Sequence, residues 1–230
     1  MRLQLMKLLG IILLLAGLVT ALVPGVGAQG EVTWWWKDTD VGTDFTHDSH
    51  TADKYMTQTS PTKTTSDKLD LAIGNEGWWY AENAAQIDLS FPAGYWDAVL
   101  YTYTWGATVS TTVTVWNLHP DGSTTKICEN TLNITATSAG TKFTASMTAG
   151  QADFSANDRV AMSVKVNSGG TLRLYYDATG RPAKLESPAS SPAYPVPELP
   201  TIILIFLGLL LLGGYIWLKR RRKSGELLSC

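Results

Sequence analysis

The chain has 230 residues, with 18 lysines and arginines against 20 aspartates and glutamates, a formal charge of −2. Seven of those cations lie in two terminal segments, so residues 29–200 carry 11 cations against 19 carboxylates. Such an acidic stretch is a poor partner for nucleic acid, whose phosphates need cations, and its one cysteine, Cys128, excludes a disulfide scaffold.

The first segment, 1–28, has a positive start at Arg2 and Lys7 and an apolar run from Leu8 to Val23. Pro24-Gly25 then breaks the run ahead of the small residues Val26-Gly27-Ala28. This is the layout of a secretory signal peptide, and cleavage is expected to leave Gln29 as the first residue.

Residues 29–77 are polar and uneven, and are expected to be loop-rich with one or two strands. Asp38, Asp40 and Asp44 are hard oxygen donors of the kind calcium prefers. Their spacing is not that of an EF-hand, because Ser49 stands where the bidentate glutamate would be. His47 and His50, with Asp44 and Asp48, are a second metal candidate. Two aromatic runs, Trp34-Trp35-Trp36 and Trp78-Trp79-Tyr80, frame this part. Neighbouring residues of an extended chain point to opposite faces. One ring of each pair, Trp34/Trp35 and Trp78/Trp79, is therefore expected on an exposed face or under a loop. Flat rings so placed stack on sugars, which makes these four the candidate carbohydrate contacts.

From 78 to 181 a period of two dominates. Ile87, Leu89 and Phe91 alternate with polar residues, as do Val160, Met162, Val164 and Val166. Short runs rich in Val, Thr, Tyr and Trp recur between turns, among them His119-Pro-Asp-Gly-Ser123. This pattern predicts an all-β, antiparallel β-sandwich ectodomain with no amphipathic helix. Tyr101, Tyr103 and Trp105 share one face and are read as core positions. Asn133-Ile-Thr135 is a candidate glycosylation site at Asn133.

Phe91-Pro-Ala-Gly-Tyr-Trp96, Asp121-Gly122, Asn157-Asp158-Arg159 and Leu174-Tyr-Tyr-Asp177 together resemble a jelly-roll-type module of prokaryotic surface and phage-associated proteins. The resemblance covers about residues 78–188 and implies a jelly-roll-like sandwich, with no agreed activity.

Six of the 10 prolines lie between Pro182 and Pro200, so 182–200 reads as a semi-rigid linker. Residues 201–218 are apolar, long enough to cross a bilayer as one helix at about 1.5 Å per residue. Lys219 to Lys223 marks 219–230 as a cytoplasmic tail. Pro197-Glu198-Leu199-Pro200-Thr201, the apolar segment and Arg220-Arg221-Arg222-Lys223 resemble the sorting signals of PEP-CTERM and PEF-CTERM proteins. That likeness implies a prokaryotic, and by its Pro-Glu-Leu-Pro-Thr form archaeal, exported protein. It also implies a processing enzyme of the exosortase or archaeosortase type. Leu199 departs from the archaeal pattern, which has Phe.

The motifs of hydrolases and phosphate-binding loops are missing: no H-E-x-x-H, G-x-S-x-G or Walker sequence occurs. The reading is a non-catalytic, single-span membrane protein, with its ectodomain outside and a structural or adhesive role in the cell envelope. No cofactor is expected; calcium at Asp38, Asp40 and Asp44 is the candidate ion carried forward. Its expected partners are the membrane, the sorting enzyme, and envelope glycans or other surface proteins. The alternative is a carbohydrate-binding module using exposed tryptophans. A third reading, an extracellular hydrolase, needs two or three polar groups converging in a cleft.

Overall fold

A computed structural model of the chain describes residues 30–192 and 194. The signal peptide, the apolar segment, the basic tail and the sorting residues Pro197, Glu198, Leu199, Pro200 and Thr201 lie outside the described residues. Thirteen strands follow one another, with no helix among the described residues: β1 (Thr33–Asp40), β2 (Ala52–Thr57), β3 (Asp67–Leu71), β4 (Glu76–Ala81), β5 (Leu89–Phe91), β6 (Gly94–Tyr103), β7 (Thr108–Leu118), β8 (Thr124–Thr135), β9 (Thr141–Ala149), β10 (Ala152–Phe154), β11 (Arg159–Ser168), β12 (Leu172–Tyr176) and β13 (Lys184–Glu186). The chain is all-β, as its alternation predicts. The stretch 29–77 is richer in strand than expected, holding β1 to β3 and the start of β4.

Eleven strands form one ladder in the order β3-β12-β6-β13-β1-β2-β4-β11-β7-β8, with β9 on the other edge of β6. β12 and β13 lie end to end along β6, opposite residues 101–103 and 97–99. The two ends of the ladder meet: the Asn130 amide of β8 donates to the Ser146 carbonyl of β9 at 2.9 Å. The sheet is thus rolled around its core. β5 and β10 form a separate pair.

Two features differ from the sequence reading. First, β2 and β4 pair in parallel, so the ladder is mixed rather than wholly antiparallel. The intervening β3 crosses to the far end of the ladder, beside β12, and the chain returns in the direction of β2. Second, the folded body does not end at Pro182. β13 fills the gap between β1 and β6, and Leu185 at its centre is fully buried. Beyond it, Tyr194 is buried against Trp34, with ring centroids 5.4 Å apart.

The inner face is built on large rings. Trp36 stacks on Trp79 at 4.1 Å, and Trp34 stacks on Trp96 at 6.1 Å. β4 and β11 are buried on both faces. The loop after β1 folds over their outer side, where Val41, Trp78, Tyr80, Leu118 and Ala161 gather with Phe45, Tyr55 and Trp116. Without that loop the outer side of β4 would expose Trp78 and Tyr80 to water.

Candidate functional site

The acidic segment is placed by β1, β2 and the loop between them. Asp38 and Asp40 lie at the end of β1 and share one cation: Lys54 Nζ is 3.2 Å from Asp38 Oδ1 and 2.7 Å from Asp40 Oδ1. Burial works against the Lys54 charge, but the bonds to Asp40 and Asp38 outweigh it and leave its pKa raised. Asp38 also accepts from the Tyr176 hydroxyl at 2.9 Å. Asp44 is drawn elsewhere, to the hydroxyl of Tyr55. Burial, then the Asp44 bond, pushes Tyr55 up to about 12. The structure does not gather Asp38, Asp40 and Asp44 on a common ligand, because Lys54 and Tyr55 already occupy their oxygens. Among the described residues no three His, Cys, Asp or Glu side chains are arranged to hold a metal ion.

His47 and His50 do approach one carboxylate, that of Asp53 rather than Asp44 or Asp48. His50 Nδ1 is 2.8 Å from Asp53 Oδ1, and His47 Nδ1 is 3.8 Å from it. The Tyr80 hydroxyl donates to the same oxygen at 3.0 Å, and burial followed by the Asp53 charge raises the pKa of that phenol. His50 also lies flat on Trp78 at 4.5 Å. The cluster pins the 41–50 loop onto the outer side of β4.

The four candidate tryptophans are not an exposed face. Trp34, Trp78 and Trp79 are 1%, 5% and 0% exposed. Trp34 and Trp79 point into the rolled core, and Trp78 lies under the loop, between His50 and Trp116. Only Trp35 is partly exposed, and Lys184 sits 5.1 Å over its ring. The reason is pairing: both faces of β4 are covered, so alternation brings neither ring to water.

The opposite correction applies to β6. The alternation of β6 favours Tyr101, Tyr103 and Trp105 as core, but Leu100, Thr102 and Thr104 are the buried residues. β6 takes its facing from its partners: Ala145 and Met147 of β9 and Leu174 of β12 are buried on the side of Ala98, Leu100 and Thr102. The rings are therefore turned outward. Trp105, 51% exposed, sits in the turn after β6 with φ at +52°, and its ring lies 4.8 Å from that of Tyr103.

One constellation was not seen in the sequence. Asp158, 2% exposed, follows Asn157, whose φ is +74°. Asp158 Oδ2 accepts from Asn117 Nδ2 at 2.8 Å and from the Ser155 amide at 2.9 Å. Asp158 Oδ1 faces His119 Nδ1 at 3.1 Å, and His119 Nε2 faces the Thr125 hydroxyl at 2.9 Å. The line borders a hollow of about 250 Å³ walled by Phe45, Leu118, Pro120 and Arg159. The only signal in the sequence was Asn-Asp-Arg, a turn tripeptide. Its meeting with His119, 39 residues away, is made by the β7–β11 ladder.

No protein-family model matches this sequence, and no curated protein does. Solved structures do resemble the fold. An α-amino acid ester hydrolase superposes with a TM-score of 0.50 and 9% identity, over 69% of this chain and 36% of its own. A CocE/NonD family hydrolase from Staphylococcus aureus, SACOL2612, gives 0.49 and 7% over the same shares. This chain spans little more than a third of either protein. At such identity the likeness is one of fold.

Proposed function

We propose that the chain is an exported, non-catalytic protein whose all-β body is a jelly-roll-like sandwich displayed on a membrane tether, with an adhesive or structural role in the cell envelope. The leader, the apolar segment and the basic stop in the sequence support the location. One observation carries the adhesive role: the end of β6 and the turn after it set Tyr103 and Trp105 toward solvent, while the conspicuous polar groups elsewhere are used within the fold. Asp158 ties β7, β11 and the 155–158 turn together, and Asp38, Asp44 and Asp53 each accept from a tyrosine hydroxyl. Asn133 is exposed on β8, a position open to glycosylation. The test is topology with retention. Protease added to intact cells should remove the 30–194 body, and the released body should rebind isolated envelopes. A body found in the cytoplasm, or one with no affinity for envelopes, would overturn the reading.

A hydrolase is the second reading, favoured by the Asp158–His119–Thr125 line, which has the acid–base–hydroxyl order of an activated nucleophile. Turnover of a chromogenic ester that disappears in Thr125→Val would favour it.

A further inference from the structure

Two cross-strand rows run side by side on the outer face of β9, β6, β12 and β3. One is Lys142–Tyr101–Tyr175–Lys68, and the next is Tyr103–Arg173–Asp70. Paired residues of a ladder share a face, so both rows lie on the side opposite the core. Trp105 closes the second row, with the Arg173 guanidinium 5.0 Å over its ring. Arg181 reaches the first row from beyond β12 and lies 4.6 Å over Tyr175. Four of the 11 lysines and arginines of residues 30–192 are thus set around four aromatic rings, and the two rows contain one carboxylate, Asp70. That carboxylate is spent: Arg173 grips it with two bonds, of 2.6 and 2.7 Å. Further along the same outer side of β6 the acidic character returns, with Asp97 opposite Glu186. Around the two rows themselves the charge of an acidic body is inverted, with four cations to one carboxylate.

Beside Tyr175 the face opens into a hollow of about 470 Å³, walled by Thr64, Thr65, Ser66, Lys68, Gly180 and Arg181. Its lining offers three hydroxyls and two cations and contains no carboxylate. The turn at Trp105 adds an independent sign. A left-handed φ costs a bulky residue roughly 1 kcal/mol or more, and glycine would adopt it freely. The chain holds an indole there, half exposed, where glycine fits better.

We propose that this face binds an anionic polysaccharide, a polymer of uronate-bearing or sulfated sugars. An acidic group would enter the hollow between Lys68 and Arg181, and the apolar face of a neighbouring sugar would lie on the Tyr103–Trp105 ledge. Hydroxyls of Thr64, Thr65 and Ser66 match a hydroxyl-rich ligand, and the cations match its charge. Bilayer headgroups share the charge but do not supply flat apolar faces for the ledge. The inference rests on the adhesive reading above and names the partner.

The experiment measures binding of the full chain, with its apolar segment held in phosphatidylcholine nanodiscs, to polygalacturonate, dextran sulfate and neutral dextran, and to phosphatidylcholine vesicles with and without phosphatidylglycerol. Three variants are compared: Lys68→Gln, Lys68→Gln with Arg181→Gln, and Trp105→Gly. The glycine variant keeps the turn conformation, and Lys68 is exposed, so both should fold. One or both acidic polymers should bind, neutral dextran and both vesicles should not, and binding should weaken with salt. Lys68→Gln and Trp105→Gly should each raise Kd roughly tenfold, about 1.4 kcal/mol, with melting unchanged. Equal binding of neutral dextran, capture by acidic vesicles, or acidic-polymer binding that all three variants retain would overturn the proposal. Envelope binding that survives all three variants would leave the adhesive role standing and refute only this face, whereas loss of all envelope binding by the unaltered chain would remove both.

Discussion

Replacing Tyr194 with alanine tests whether the proline-rich segment belongs to the fold. Tyr194 is 3% exposed, edge-on to Trp34 at 5.4 Å and 6.1 Å from Phe91, and its hydroxyl donates to the Asn83 carbonyl at 2.9 Å. Emptying a buried aromatic site costs about 3–5 kcal/mol, because the transfer free energy is lost and the cavity closes only partly. Removing the hydroxyl alone, in Tyr194→Phe, costs about 1 kcal/mol for one hydrogen bond. In a body of this size about 1 kcal/mol moves Tm by roughly 2–4 °C. Tyr194→Ala should therefore lower Tm by roughly 10 °C and Tyr194→Phe by roughly 3 °C, read by near-ultraviolet circular dichroism of the full chain. Truncation agrees in direction: a fragment ending at Arg181 lacks β13, leaves β1 and β6 without a common partner, and should not fold, whereas one ending at Pro195 should. If both variants melt within about 2 °C of the unaltered chain, the docking of Tyr194 is refuted.

Cys128 is buried, and burial followed by the Glu129 charge pushes its thiol up to about 12, so alkylation near pH 8 should fail until the protein is unfolded by urea; labelling of the native chain would contradict the buried position. Asp158→Ala takes the acceptor from the Ser155 N–H and from one Asn117 amide hydrogen, the other keeping the Asp153 carbonyl, and should cost about 3 kcal/mol, measured by urea unfolding; a neutral result would mean that these bonds do not hold the 155–158 turn. Glu31 has its pKa raised by burial and then by Glu186, so the fold is penalised where Glu31 is ionised, and the penalty fades as pH falls through the raised value toward the ordinary carboxylate range. Glu31→Gln should accordingly add less than about 1 kcal/mol at neutral pH, this group being largely exposed, and nothing near pH 3; a gain confined to acid would reverse the sign and refute the argument. Because Lys54 already bridges Asp38 and Asp40, calcium at about 10 mM, well above the usual range for extracellular modules, should leave Tm unchanged; a rise that Asp40→Asn abolishes would show that the ion displaces Lys54.

The candidate site was only partly legible in the sequence. Alternation identifies Tyr101, Tyr103 and Trp105 as one face and Leu100, Thr102 and Thr104 as the other, and both faces are apolar enough to be buried. Hydrophobicity alone favours the larger rings, and the sign of the choice came out reversed. The tryptophan pairs show the same limit from the other side. Neighbouring rings must point apart, but whether the outer one meets water depends on a loop that folds over it, and the Phe45–His50 segment carries no pattern announcing that it does.

Local chemistry determined what depends on neighbours along the chain. The period of two makes strands, and His119-Pro-Asp-Gly-Ser123 makes the β7–β8 turn, where Gly122 takes φ at +88° and its amide donates to the His119 carbonyl at 3.0 Å. Tertiary structure decided whatever depends on pairing partners distant in sequence. The insertion of β13 between β1 and β6 turns an apparent linker into part of the sheet, because two open edges need a strand more than three residues need solvent. The parallel β2–β4 pair, the Asp158–His119 meeting and the outward facing of β6 have the same origin. Each is a property of register, and a shift of one residue exchanges the two faces of a strand without changing a letter of its sequence.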